Sequence, residues 1–311
     1  MSGFCDNMEK ENKKPIIVRL NGGLGNQMFQ YALGRKLSLK YHAPLFLDLT
    51  FLNHRIKMPE FLRPNFTFRN FTLDVFNIKA SIARSPQIAF WNRPIFRGKT
   101  MLILDAILRK LAIFPGWEKS FSFDPKVLLL GPGSYLEGFW HSERYFKDIE
   151  ETLRKDFTLR NPLTGKTKEL YVEIRDCASL CIHVRRTDVA ENSFYHSIPL
   201  EYYHSGLEYI KQYRQIEKVY VFSDDLDWCR KNLKFRYPTV YVGPEHAGKH
   251  GEGHLHLMSA GRNFIIANST FSWWAAWLSD NPDKMVIAPK RWFRINRMDD
   301  SDLIPEKWIR L

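Results

Sequence analysis

Two arginines stand side by side after an apolar run in Cys181-Ile-His-Val-Arg-Arg-Thr-Asp188. A guanidinium is always charged, and its forked donors match the oxygens of a phosphate or a carboxylate. Arg185 and Arg186 can therefore grip a diphosphate, or they can form a surface pair bonded to carboxylates. His183 lies inside the apolar run. Asp188 and Glu191 follow closely; a carboxylate so placed can act as a base, or Asp188 can simply pair with an arginine. A second cluster, Ala267-Asn-Ser-Thr-Phe-Ser-Trp-Trp274, sets Ser269 and Thr270 just before a helical pattern. They can cap that helix, and a helix N-terminus also offers free N–H groups and a positive dipole end to an anion. Trp273, Trp274 and Trp277 read as core packing rather than a sugar platform. In Phe222-Ser-Asp-Asp-Leu-Asp-Trp228, Asp224 can accept hydrogen bonds from a base or a ribose. Asp225 and Asp227 have the spacing of a metal-holding pair, yet acidic residues at a helix start are favourable without a metal. Glu245 to His256 carries four histidines. With no helix expected to fix their spacing, a flexible ligand-contacting loop is expected there rather than zinc.

The elements that must position these groups follow from periodicity. Ile16 to Leu20 reads as a strand, Leu24 to Tyr41 as a helix and Leu45 to Leu49 as a strand. Between the first two lies Leu20-Asn-Gly-Gly-Leu-Gly-Asn-Gln27, a glycine-rich turn without the lysine of a phosphate loop or the spacing of a dinucleotide fingerprint. Ser142 to Leu159 reads as one helix. Asn161-Pro-Leu-Thr-Gly-Lys166 is turn chemistry and a domain boundary. Strands then recur at Leu180 to Val184, Val219 to Phe222, Thr239 to Val242, Phe264 to Ala267 and Met285 to Ala288, with a helix at Phe271 to Leu278. Short apolar strands alternating with helices predict a parallel α/β sheet. Ligands of such sheets bind beyond the carboxyl ends of the strands, where the polar clusters fall.

The chain has 311 residues and a formal charge of +12, which points to an anionic partner. No secretory signal or membrane-spanning run is expected, since residues 1–14 are polar and read as a disordered tail. Cys5, Cys177, Cys181 and Cys229 fit neither a disulfide framework nor a zinc spacing and are expected as reduced thiols. A cytoplasmic protein is the expectation. Asn65, Asn70 and Asn268 head glycosylation triplets that then carry no meaning. The basic, aromatic stretch Trp91 to Phe114, with a helix expected at Met101 to Phe114, could lie on an anionic membrane at the inner face or be buried. No nucleic-acid-binding motif is present.

Taken in order, Gly-Gly-Leu-Gly-Asn-Gln-Met-Phe-Gln-Tyr-Ala-Leu-Gly-Arg-Lys-Leu, His-Val-Arg-Arg-Thr-Asp followed by Pro-Leu-Glu-Tyr-Tyr, Phe-Ser-Asp-Asp, and Leu257 to Ser279 resemble the bacterial α-1,2-fucosyltransferases of glycosyltransferase family 11. The likeness runs from Ile16 to Phe293. It implies a GT-B-type α/β fold, two Rossmann-like domains facing a cleft: an acceptor-side domain over 15–162 and a nucleotide-sugar-binding domain over 163–311. It implies GDP-fucose as co-substrate, inversion, no cofactor and no metal, and an oligosaccharide or lipid-linked glycan as acceptor. Gly25 and Asn26 are then expected near the donor diphosphate and sugar. His183, Arg185, Arg186, Asp224, Glu252, His254, Ser269, Thr270 and Phe271 are expected around the donor, with Arg185, Asp188 and Glu191 in catalysis. One position departs from the family pattern. The acidic residue that usually reads guanine is replaced by His254, with Glu252 two residues earlier. A carboxylate can accept from both guanine donors, whereas a neutral imidazole has one acceptor nitrogen. Glu252 takes over, or Asp224 reads the base, or the donor base differs.

Overall fold

The computed structural model describes residues 14–53, 69–88, 116–186, 197–294 and 299–311. It divides into two compact units, Met1–Thr158 with Ser301–Leu303, and Leu159–Asp300 with Ile304–Leu311.

The first unit holds a four-stranded parallel sheet. Its strands are β1 (Ile16–Arg19), β2 (Leu45–Asp48), β3 (Ser81–Ile82) and β4 (Tyr135–Leu136), in the order β3-β2-β1-β4. Ile16, Val18 and Leu47 are fully buried, as a parallel sheet covered on its faces demands. The helix Leu24–Tyr41 (α1) returns the chain from β1 to β2. It ends where His42 adopts a left-handed conformation, φ 50°, and the Ala43 N–H reaches back to the Ser38 carbonyl at 3.0 Å. Gly34 lets α1 lie close to the sheet: a Cβ there would stand 2.5 Å from Val18 Cγ2 and 2.9 Å from Leu45 Cδ1.

Ser142 to Leu159 is not one helix. Two short 3₁₀ turns, Glu143–Tyr145 and Lys147–Ile149, precede the helix Glu150–Asp156 (α2). Phe146, at φ −147° and ψ 6°, interrupts the helical path. The break allows the adjacent rings of Tyr145 and Phe146 both to be buried, which neighbours on a regular helix face cannot easily do.

The second unit holds a six-stranded parallel sheet in the order β10-β9-β8-β5-β6-β7. Its strands are β5 (Ser179–Val184), β6 (Lys218–Ser223), β7 (Thr239–Tyr241), β8 (Asn263–Ile265), β9 (Met285–Ala288) and β10 (Ile309–Arg310). The helix Gly165–Asp176 (α3) precedes β5, and Leu200–Ile210 (α4), Leu226–Asn232 (α5), Glu252–Ser259 (α6) and Thr270–Leu278 (α7) lie between the strands. Read from β7, the strand order is third, second, first, fourth, fifth, sixth, and the first sheet repeats its opening four. In each sheet the order reverses beside the first strand, between β1 and β4 and between β5 and β8. That is where open α/β sheets bind ligands. Trp273, Trp274 and Trp277 are buried, with Trp273 and Trp274 edge to face at 5.1 Å, so the core reading of these rings holds.

Gly34→Val sets helix propensity against packing. Replacing a helical glycine gains at most about 1 kcal/mol, whereas overpacking a full interface costs roughly 1–3 kcal/mol. Thermal unfolding should show a lowered transition for Gly34→Val and little change for Gly131→Ala, whose Cβ would meet nothing within 4 Å.

Candidate functional site

At the carboxyl end of β5 the two arginines part. The Arg185 guanidinium donates to the Asn268 carbonyl at 3.2 Å, in the loop leading from β8 to α7. Arg186 turns the other way, toward β6. Its N–H donates to Asp224 Oδ1 at 2.9 Å, its guanidinium pairs with Asp225 at 3.2 Å, and it stacks 3.8 Å over the Trp228 ring. The pair is thus divided between two loops rather than aimed jointly. Asp225 also caps α5, accepting from the Trp228 N–H at 3.1 Å, and Asp227 pairs with Arg230. The two aspartates of the suspected metal spacing therefore serve separate partners. Among the described residues no group of three or more metal-ligating side chains is placed to hold an ion.

Ser269 takes the N-cap position of α7, but its hydroxyl makes no capping bond to the first turn. No acidic residue sits in that turn, which leaves its dipole unopposed by local negative charge. Thr270 is the first helical residue. His183 is buried under the site with its ring 5.5 Å from Phe271. Arg185, Asn268, Ser269 and the start of α7 thus gather at the β5–β8 reversal. Asp188 and Glu191 lie outside the described residues.

Glu245 to His256 is not the flexible loop expected. Helix α6 includes His254 and His256, which two residues of separation turn to different sides. Glu252 accepts the Lys249 N–H at 2.9 Å and the His250 N–H at 2.7 Å, so both its oxygens hold the loop backbone. The Gly253 N–H donates to the Ala247 carbonyl at 2.8 Å, and a Cβ on Gly253 would meet the His246 carbonyl oxygen. His254 Nε2 lies 2.8 Å from the Gly243 carbonyl and so carries the ring proton. Burial lowers the pKa of His254, and the bond to Gly243 opposes that shift. Both guanine-reading candidates in this loop are therefore engaged in shaping it.

The glycine-rich turn sits at the carboxyl end of β1. Gly22 has φ +75°, and a Cβ there would stand 2.4 Å from Asn26 Nδ2, so glycine is required on both counts. Gln27 and Gln30 are fully buried. Gln27 Nε2 donates to the Gly22 and Asn70 carbonyls at 2.9 and 2.8 Å, and its oxygen accepts the Thr72 N–H at 3.0 Å. Gln30 donates to the Gly138 carbonyl at 2.9 Å and accepts the Asn21 N–H at 3.0 Å. Gly25 is buried and Asn26 half-buried beside them. Sequence reasoning missed what faces Asn26: His141, just after β4, with Nε2 3.2 Å from Asn26 Oδ1. Nothing in local periodicity signals His141; only the pairing of β4 with β1 brings it there. Glu118 braces the same segment, accepting the Phe139 and Trp140 N–H groups at 2.7 and 2.8 Å.

Burial pushes the His141 pKa from 6.5 down to about 3 and the Glu118 pKa from 4.5 up to about 7, the two backbone N–H bonds to Glu118 opposing its rise. The folded state thus holds a proton on Glu118 above pH 4.5 that the unfolded chain releases, a stabilisation lost as pH rises toward 7. It also refuses one on His141 below pH 6.5, a stabilisation lost as pH falls toward 3. Between about pH 4.5 and 6.5 the two slopes oppose each other. In Glu118→Gln the His141 slope stands alone. Urea titrations across this window should show the variant losing stability toward acid, relative to wild type, by up to about 1.4 kcal/mol per pH unit.

The Trp91–Phe114 stretch, read as either a membrane-surface or a buried segment, lies outside the described residues. Among the described residues no helix is long and apolar enough to cross one. Comparison with known proteins places these geometries in context. An α-1,2-colitosyltransferase of Escherichia coli is 34% identical over 309 residues, covering 95% of this chain and 98% of that protein. The O-antigen biosynthesis glycosyltransferase WbnK of Escherichia coli is 30% identical over 317 residues, covering 94% and 99%. The structure of Arabidopsis thaliana FUT1 in complex with GDP superposes with a TM-score of 0.50 at 12% identity, covering 98% of this chain and 79% of that one, a likeness of fold alone. The two parallel-sheet units have the GT-B glycosyltransferase fold. The sequence profile of glycosyl transferase family 11 matches residues 124–311. With the relatives matching along almost its whole length, the chain belongs to glycosyltransferase family 11.

Proposed function

We propose that this glycosyltransferase moves L-fucose from GDP-β-L-fucose to the 2-hydroxyl of a β-galactoside, free or lipid-linked, with inversion to an α-1,2 linkage and without a metal. The observation that carries this reading is Arg185 held on the Asn268 carbonyl beside the start of α7, where the Ser269 hydroxyl makes no capping bond. A guanidinium, a hydroxyl and helix N–H groups converge there on the kind of charge that a leaving diphosphate develops. Each well-aimed donor of this type contributes about 10²–10³ in rate. Thr270, His183 and Phe271 support that point, Arg186 serves it indirectly by fixing the adjoining β6–α5 loop, and Gly25 and Asn26 are assigned to the sugar nucleotide. Asp188 is the preferred general base, with Glu191 holding its loop. With Glu252 and His254 engaged in their own loop, guanine recognition falls to Asp224.

A second reading follows from the 34% identity to an α-1,2-colitosyltransferase. Colitose is fucose without its 3-hydroxyl. A site that hydrogen-bonds a hydroxyl rejects the analogue lacking it by about 10⁴–10⁵, while an apolar pocket discriminates far less. Turnover of GDP-fucose and GDP-colitose with a β-galactoside acceptor separates the two readings by kcat/KM, and activity with neither donor overturns both.

With the preferred donor, Arg185→Lys should lower kcat by about a hundredfold, because charge survives but forked geometry does not. Near-normal turnover would remove Arg185 from leaving-group stabilisation. Arg186→Lys should act first on thermal stability through the lost stacking on Trp228. Turnover should also survive EDTA; loss on chelation with recovery in Mn²⁺ or Mg²⁺ would overturn the metal-free mechanism.

A further inference from the structure

His141 is an expensive residue for its position. It is 3% exposed, and its Nδ1 has no hydrogen-bond partner among the described residues. A leucine or phenylalanine would fill the space without burying an unsatisfied nitrogen. The ring is held by Phe29 at 5.0 Å, Phe139 at 5.1 Å and Phe121 at 6.1 Å. Its hydrogen bond within the first unit is to Asn26.

The chain before it is strained. Trp140 has φ +50°, a left-handed conformation that an aromatic residue rarely adopts. Three bonds brace that turn: Glu118 takes the N–H groups of Phe139 and Trp140, and Gln30 donates to the Gly138 carbonyl. The braced, strained turn delivers His141 to Asn26.

We propose that His141 is a positioning residue for Asn26: its Nε2–H donates to Oδ1 and thereby presents the Asn26 NH₂ group, laid over Gly22, as a donor to the bound sugar nucleotide. This rests on the assignment of Asn26 to that ligand. Several features fit it. An Asn amide can rotate by half a turn and exchange donor for acceptor, and a neutral histidine with its proton on Nε2 permits one orientation. Burial keeps that ring neutral across the working pH range. Gly22 lacks the side chain that would stand 2.4 Å from the NH₂ nitrogen. An NH₂ group so placed suits an acceptor oxygen on phosphate or sugar; a carbonyl turned there would repel it.

The test is a double-mutant cycle on kcat and KM with whichever of GDP-fucose and GDP-colitose the wild type uses. His141→Leu should lose roughly ten- to a hundredfold in kcat/KM, chiefly in kcat. His141→Gln, which can still donate to Asn26, should recover most of it. In an Asn26→Ala background, His141→Leu should cost almost nothing further, since its effect passes through Asn26. Additive losses, or equal losses in the Gln and Leu variants, overturn the positioning role. Circular dichroism and thermal unfolding check the fold. Should His141→Leu fail to fold, His141→Gln and the shorter His141→Asn decide: loss in the Asn variant alone supports the proposal, and matched behaviour overturns it. Wild-type inactivity with both donors overturns the donor reading instead. The cycle is then read in GDP affinity by calorimetry, where coupling supports the positioning role and additivity, or the absence of GDP binding, overturns it.

Discussion

Two buried amides organise the first unit. Gln27 and Gln30 have no exposed surface, and each uses both ends of its side chain. Together they join the turn after β1, the Asn70–Thr72 segment and the strained chain after β4. A buried amide left without partners costs roughly 1–3 kcal/mol, so these contacts form together or not at all. The glycines of the turn are thereby explained without a bound phosphate. They let the backbone curl over Asn26 while the glutamines hold it down, and Asn26 meets His141 across the turn.

In the second unit, adjacent arginines have different employment. Arg186 is fixed by a carboxylate, an indole face and a backbone bond, all from the β6–α5 segment. Arg185 instead reaches the Asn268 carbonyl across the β5–β8 reversal. The first shapes its own loop, and the second ties the end of β5 to the loop before α7. The neighbouring aspartates also differ: Asp225 is occupied by the helix start and the arginine side chain, and Asp224 accepts the Arg186 N–H at the exposed strand end.

The strands β1, β2 and β5 to β9 were legible because parallel strands are continuous apolar runs, and α1 because Leu24, Met28, Tyr31 and Ala32 recur at helical intervals; the two-residue strands β3, β4 and β10 are too short to show a run. The helices α3 and α6 were not. In α3 only Ile174 is buried, so few apolar residues mark it, and α6 begins amid glycines that suppress helix propensity. Ser142 to Leu159 misled because its apolar spacing is helical, whereas burial of two neighbouring rings breaks the backbone between them. The strand-end clusters were visible as motifs. Their pairwise geometry was not: the separation of Arg185 from Arg186, the engagement of Glu252 and the meeting of His141 with Asn26 all depend on contacts between segments distant in sequence.

The segment between β7 and α6 carries a consequence for binding kinetics. Glycine-rich loops usually lose much conformational freedom when they close on a ligand, and that loss weakens affinity. Here Glu252, His254 and the Gly253 N–H already tether the backbone at both ends and across its middle. A molecule arriving at this loop meets a preformed surface, so its capture would be limited by diffusion and desolvation rather than by an ordering step. Lengthening or loosening this segment would restore the entropy that its internal bonds have removed, whereas side-chain exchanges would leave its backbone fixed.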